Sequence, residues 1–403
     1  MNTDTTVQIT AGSYNATDSK VLGKATVRVE QLDKLRGLVI ILMALDHVRG
    51  FFSLVNFNPL NLEQTSFMWF ATRWMTHLCA PTFIFLAGMG AALSNKSKNQ
   101  LGLFLFTRGA WIVFLELTLV SLGWGRYPFA PFIVLQVIWA IGASMMLLAG
   151  AIYLPRRLLL FISLAVISCH NLLDPFDQEI LSFSGGFWRV LHDPGLFKLG
   201  EWKIRAAYPI VPWVALMSLG YLFGQYKALW AQAKNLRYYG FALIVAFFVL
   251  RACTNFGSAK PWVIYEDSVA YTILSFFNVA KYPPSLMFLL ITCGISAVSW
   301  SLLARVNGVV GGMLRTFGRV PMFFYLVHFP LINLLSNIWG VVRFERDFYW
   351  WKGYGHHMGQ NLNYDNLGTV YGAWILVLLL SFPLVKWYEG YKFRSKKWWT
   401  TYI

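Results

Sequence analysis

Arg36 and His47 stand eleven positions apart in one apolar stretch, Arg36-GLVIILMALD-His47. On a helix, about 100° per residue brings the second side chain back to within about 20° of the first, roughly 16 Å further along the axis. Ionisable groups are costly inside a hydrocarbon layer and mark functional positions there. A cation at one membrane border with an imidazole deeper on the same face suits an elongated anionic substrate lying along the helix. The imidazole would then act as general base or transient acyl carrier in a group transfer. The competing reading of His47 is a packed histidine bonded to a neighbouring helix, but that leaves the matched phase of Arg36 unexplained.

Other residues of the same kind follow. Asp46 points about 100° away from His47, so it is poorly placed to orient the imidazole directly. It can pair with Arg49 at i+3 or with Arg73 after the turn, and is carried both as a catalytic candidate and as half of a structural ion pair. Arg73 and His77, at i and i+4, add a second cation and a second imidazole at a depth similar to His47, just before Pro81, which can bend the helix. Glu116 and His328 lie mid-span, His328 between Pro321 and Pro330; each is a candidate to line the site or to make a structural hydrogen bond. The expected substrate-binding set is Arg36, Arg73, His77 and His328. Lys96, Lys98, Arg108, Arg156, Arg157, Arg315 and Arg319 could join Arg36 around an anionic ligand, or could simply reflect loop charge bias.

No resident metal is expected. Cys79, Cys169, Cys253 and Cys293 show no C-x-x-C spacing, and the adjacent His356 and His357 are a weak metal signal. No Walker sequence occurs, and Gly88-Met-Gly90 reads as a helix-packing pair. The aromatic, charged stretch 344–355 reads as an interfacial belt or, more sharply, as a carbohydrate-stacking surface.

The elements that must hold these residues are membrane helices. Of 403 residues, 57% are apolar, 17% aromatic and 13% charged, against about 25% charged in a soluble domain. The hydropathy pattern gives an all-α polytopic membrane protein of ten spans, about 35–55, 75–94, 102–123, 130–153, 157–173, 208–226, 238–254, 284–304, 318–340 and 368–388. The run 269–280 reads as an extra interfacial or re-entrant helix. Residues 1–30 are polar, lack the apolar core of a secretory signal, and read as a disordered cytoplasmic tail. Residues 31–390 form the membrane domain and 391–403 a basic cytoplasmic tail. Alternate loops and the termini hold 21 of the 34 basic residues, which places that side and both termini in the cytoplasm. The net charge of +16 is therefore a topology signal, and no compact basic domain supports nucleic-acid binding. The long loops, about 56–74, 174–207, 255–283 and 341–367, fall on the external side. Partners are then the lipid bilayer and an acceptor recognised from outside; homo-oligomerisation is left open.

Several motifs carry a family resemblance: Leu32-Asp33-Lys34-Leu35-Arg36-Gly37 followed by LVIILMALDHVRGFF, RWMTHLCAPTFIFLAG (73–88), YPIVPWVALMSLGYLFG (208–224), KYPPSL (281–286) and FGRVPMFFYLVHFPLI (317–332). Together, over about 32–390, they resemble bacterial membrane proteins similar to heparan-alpha-glucosaminide N-acetyltransferase. The wider transmembrane acyltransferase superfamily has the same Arg, ten residues, His pattern on its first helix. The resemblance implies a multi-pass protein of the bacterial inner membrane that moves an acyl group from cytosolic acetyl-CoA, or another acyl-CoA, to a glycan or lipid-linked acceptor outside. It makes His47 the catalytic imidazole. The rival from another class is a transporter or flippase for an anionic lipid or sugar, which buried Arg, His, Asp and Glu on proline-containing helices would also suit. The lack of a clear internal repeat weighs against it.

Overall fold

The computed structural model describes residues 9–10, 28–126, 131–254, 256–258, 261–345, 348, 366–395 and 397–402. Strand β1 (Ile9–Thr10) pairs antiparallel with β2 (Arg28–Val29), beside the start of the first helix. The rest of the amino-terminal tail, His356, His357 and nearly all of 344–355 fall outside the described residues.

Helix α1 (Glu30–Phe52) is the centre of the bundle. Glu30 and Asp33 sit in its first turn and Arg49 in its last, complementing the helix dipole. Around it stand α3 (Cys79–Ala92), α12 (Leu286–Leu303), α13 (Gly308–Arg319), α14 (Pro321–Phe344) and α15 (Leu367–Arg394). A second group contains α4 (Lys98–Leu115), α5 (Val137–Ala151), α6 (Arg156–Cys169) and α9 (Ile210–Gln225), while α10 (Ala233–Cys253) packs on the outside of α12.

Between these lie shorter pieces. Helix α2 (Phe67–Met75) starts at Ser66, whose hydroxyl accepts from the Trp69 N–H, and runs through a 3-10 turn (Thr76–Leu78) into α3. Pro81 has no N–H to offer the His77 carbonyl, so regular α-geometry gives way at this point. Helix α4 starts at a capping box of Ser97 and Gln100 and ends in a π-turn (Glu116–Val120). Helices α7 (Asp177–Ser184) and α8 (Gly186–Leu191), strands β4 (Gly195–Leu199) and β5 (Trp202–Ala206), and the short helix α11 (Val269–Phe277) fill the long loops. Strand β3 (Phe132–Leu135) runs parallel to β5, and β4 pairs antiparallel on the other side of it.

Among the described residues, seven helical segments are long and apolar enough to cross a membrane: Phe67–Ala92, Lys98–Gly123, Arg156–Ser184, Ala233–Cys253, Leu286–Leu303, Pro321–Phe344 and Leu367–Arg394. Val137–Ala151 and Ile210–Gln225 are shorter apolar helices. Helix α1 stands apart because six ionisable side chains besides His47 punctuate it (Glu30, Asp33, Lys34, Arg36, Asp46 and Arg49). The outer faces carry exposed Leu103, Phe106, Phe161, Val245 and Leu379, a surface that suits lipid and would aggregate in water. The molecule is a multi-pass membrane protein. Each expected span overlaps a helix, though the one expected at 130–153 begins as strand β3 and becomes helical only at Val137, and 269–280 contains α11. Helix α15 continues to Arg394, and Tyr402 reaches back to the Thr107 hydroxyl at 3.2 Å.

Glycines set the closest helix crossings. A Cβ on Gly37 would lie 1.8 Å from the Leu314 carbonyl oxygen, and one on Gly318 1.7 Å from that of Asp33, so α1 and α13 touch backbone to backbone. Gly88 and Gly220 do the same for α3 and α9, with Met217 O at 1.9 Å and Phe85 O at 2.1 Å. The packing reading of Gly88 therefore holds. Gly318→Val has no space that a side chain could vacate. It should cost at least about 1–3 kcal/mol of stability, read as a lowered unfolding midpoint in detergent, while Gly312→Val, where a Cβ meets nothing within 4 Å, should leave the midpoint unchanged.

Candidate active site

His47 Nδ1 lies 2.7 Å from His328 Nε2, linking α1 to α14. His328 Nδ1 lies 3.0 Å from the Phe324 carbonyl oxygen, one turn back along α14. A carbonyl only accepts, so His328 Nδ1 carries a hydrogen and, in the neutral ring, Nε2 presents a lone pair. His47 Nδ1 must then donate to it. This leaves His47 Nε2 with a lone pair, and no hydrogen bond among the described residues engages it. Phe329 packs on the His47 ring at 4.4 Å, with Trp124 at 5.8 Å and Tyr325 at 6.0 Å in edge geometry. The ring is thus held on all sides but one.

The open side is a cavity of about 620 Å³. Its wall combines His47 and Asp46 from α1, Arg73 from α2, Trp124 and Arg126 after α4, Arg205 and Tyr208 around β5, and Lys281 and Tyr282 before α12. Residues Phe132, Val134 and Gly195 place strands β3 and β4 on the same wall. Asp46 Oδ2 accepts from Arg73 Nη1 at 2.6 Å and Oδ1 from Arg49 at 3.0 Å. The Arg126 guanidinium lies 4.6 Å from the Trp124 ring centre. Five cations (Arg49, Arg73, Arg126, Arg205 and Lys281) face a single carboxylate, Asp46, around this space.

A second cavity, about 310 Å³, lies toward the Arg36 end of α1. Arg36, Arg108, Arg319 and Lys392 line it, and no carboxylate does. Arg36 Nη1 is 3.3 Å from Asp33 Oδ1, and Arg319 Nη1 is 2.7 Å from Glu389 Oε1. Met43, Phe83 and Val137 line both cavities. The two spaces therefore meet end to end along α1 at these three apolar side chains, with Tyr325 on the smaller side and His47 on the larger. Lys96, Lys98 and Arg156 surround a polar recess of about 270 Å³ that adjoins the smaller cavity at Ala91 and Ser94.

Arg36 and His47 lie on one uninterrupted helix, as expected, and line the smaller and the larger cavity respectively. Three other expectations change. His77 does not line either cavity: it is fully buried, packed on Phe288 at 5.4 Å, and neither ring nitrogen has a partner among the described residues. The 3-10 turn at Thr76–Leu78 advances about 120° per residue, so the i, i+4 phase with Arg73 is lost. His328 is behind His47 and not on the cavity wall: the bond from its Nδ1 to the Phe324 carbonyl oxygen one helical turn back leaves its Nε2 aimed at α1. Asp46 is engaged by two arginines and makes no hydrogen bond to His47. Glu116 is buried at the π-turn and lines neither cavity. The sequence reading missed Trp124, Arg126, Arg205, Tyr208, Lys281 and Tyr282. Of these, Tyr208, Lys281 and Tyr282 gave a signal, as parts of the motifs at 208–224 and 281–286, which had no assigned role.

A multi-pass helical membrane protein with a buried His–His pair opening on cationic cavities is the class that fold and site define. Residues 28–251, more than half of the chain, match the family model described as heparan-alpha-glucosaminide N-acetyltransferase, catalytic, and the chain belongs to that family. No curated protein matches the chain.

The Asp46–Arg73 pair ties α1 to α2 in a poorly solvated place. Removing one partner of such a pair strands the other, at a cost of about 3–5 kcal/mol when burial is complete and less at the partial exposure of Asp46. Asp46→Ala should lower the unfolding midpoint by several degrees, and Asp46→Ala with Arg73→Met should recover part of it; additive losses in that double-mutant cycle would show that the pair contributes no coupling.

Proposed function

We propose that this protein is a membrane-embedded acyltransferase that moves an acetyl, or related acyl, group from acyl-CoA to an acceptor bound in the larger cavity. The observation that carries it is the placement of His47, which with a lone pair on Nε2 lines a cavity large enough for a sugar-sized acceptor, and this cavity abuts, at Met43, Phe83 and Val137, one lined by cations without carboxylates. Family membership supports acetyl transfer and acetyl-CoA as donor. All ten expected spans, α1 among them, cross the bilayer in this reading, with the Arg36 end cytoplasmic and the membrane the bacterial inner membrane.

Arg36, Arg108, Arg319 and Lys392 hold the phosphates of the donor. The roughly 16 Å from Arg36 to His47 suits the reach of a pantetheine arm, which passes between Met43, Phe83 and Val137. His47 Nε2 takes the proton from the acceptor hydroxyl or amine as its oxygen or nitrogen bonds to the thioester carbonyl carbon. The C–S bond then breaks, and the imidazolium returns the proton to the leaving thiolate. The same groups permit a stepwise route, in which Nε2 carries the acyl group and CoA leaves first. His328 is a positioning residue in either route: it fixes the His47 tautomer and accepts the Nδ1 hydrogen as charge develops. Asp46 and Arg73 shape the wall and its charge. The excess of cations selects an acceptor that bears phosphate, carboxylate or sulfate, on a glycan or a lipid-linked sugar.

His47→Ala should lower kcat by about 10²–10⁴-fold in an assay of labelled acetyl-CoA with envelope glycans as acceptor; unchanged turnover would remove His47 from the chemistry. His328→Phe should reduce kcat by about 10–100-fold with KM for acetyl-CoA unchanged, and His328→Gln, which keeps an acceptor, should recover part of it. A rapid-quench burst of CoA in the absence of acceptor would assign the stepwise route, and its absence the direct one.

A further inference from the structure

We propose that Asp174, Asp177 and His192 bind a divalent cation of the Zn²⁺ or Mn²⁺ class, and that this ion fixes two segments of the larger cavity wall. Each of the three residues offers one ligand atom, and those atoms lie within 4.8 Å of one another. Asp174 belongs to the 3-10 turn His170–Phe176, Asp177 opens α7 and His192 follows α8, so three successive pieces of one long loop converge on this point. The His192 side chain is fully buried, and those of Asp177 and Asp174 are 15% and 31% exposed. One imidazole with two carboxylates is a donor set for these ions.

Proton accounting gives the second argument. His170 Nε2 is 3.0 Å from the Pro284 carbonyl oxygen and must donate to it, leaving a lone pair on His170 Nδ1. His192 Nε2 lies 3.2 Å from that nitrogen and 3.0 Å from the His170 carbonyl oxygen, both acceptors, so it carries a hydrogen. His192 Nδ1 then faces Asp177 Oδ1 at 3.1 Å, an oxygen that already accepts from Trp188 Nε1 at 2.6 Å. A cation belongs between that nitrogen and the carboxylate, either a proton on Nδ1 or a metal ion, and the convergence of a second carboxylate on the same place favours the metal. A nitrogen and an oxygen 3.1 Å apart are spaced as neighbouring ligands of one ion at about 2.1 Å from each. Asp174 brings a second carboxylate, whereas the nearby Arg189 is paired with Asp193. Asn171 donates to Asp174 at 3.1 Å, and its buried Oδ1 has no partner among the described residues.

The location gives the ion its consequence. Pro194 and Gly195, immediately after His192 and Asp193, line the larger cavity. Pro284, held by His170, closes the segment whose Lys281 and Tyr282 line the opposite part of it. An ion on His192 therefore locks both segments through a chain of two imidazoles. Its binding does not rest on the acyl-transfer reading, and its test reads metal directly.

The full chain, purified in detergent and stripped with EDTA, would be dialysed against ZnCl₂ or MnCl₂ and its metal content measured by mass spectrometry alongside thermal unfolding. Wild type should retain about one ion per chain and gain about 5 °C in unfolding midpoint. Asp177→Asn and Asp174→Asn, with helical circular dichroism intact, should lose both effects, and a His356→Ala, His357→Ala double variant should keep them. Failure of wild type to hold either metal would overturn the proposal and leave a proton on His192 as the neutralising charge. Equal retention by Asp174→Asn and Asp177→Asn would overturn it as well.

Discussion

The cost of charge in a medium that cannot solvate it governs this structure. Helix α1 carries acids, bases and an imidazole along a length that spans most of the bundle. None of these groups can face lipid without a penalty of about 2.5 kcal/mol or more at mid-membrane. The helix is therefore enclosed by α3 and α12 to α15, and its charges are answered from neighbouring helices: Asp46 by Arg73, Asp33 by Arg319, Glu30 by Arg315. Enclosure in turn demands close approach, which Gly37 and Gly318 provide by letting α1 and α13 meet backbone to backbone. Packing and electrostatics are here a single requirement.

The same enclosure creates the site. Where charged side chains crowd around one helix, apolar filling is incomplete, and the two cavities beside α1 are the result. Their boundary at Met43, Phe83 and Val137 is apolar, so a hydrated headgroup or sugar cannot cross it cheaply. The His328 partner serves this arrangement because it removes the ambiguity of the His47 tautomer without adding a second negative charge to the interior.

The non-helical parts have a distinct task. The sheet β3–β5–β4 and the segment Lys281–Tyr282 cover the larger cavity with residues from three distant loops. Backbone polar groups there are satisfied within the protein, by β-pairing and by bonds such as Asn278 to the Leu60 carbonyl oxygen and Tyr271 to that of Thr65, so irregular chain lines a cavity without facing lipid.

Much of this was legible in the chain itself. Apolar runs located the helices because a membrane span is a local property, fixed by about 20 successive side chains. Arg36 could be paired with His47 because both lie on one uninterrupted helix. The paired reading of Asp46 with Arg49 and Arg73 followed from spacing and charge alone. Phase failed at His77, where Pro81 removes a helical hydrogen bond and the turn tightens, so that a spacing argument crossed a change of helix type. It could not find the His47–His328 bond, because 281 residues separate the partners and nothing local fixes how α1 and α14 rotate toward each other. The cavity cations from Arg126, Arg205 and Lys281, and the convergence of Asp174, Asp177 and His192, are likewise products of long-range packing. The sequence by itself determined which helices exist and which charges had to be buried. Only the tertiary structure decided which of those charges meet, because partner choice depends on helix rotation and loop closure, to which no local periodicity responds.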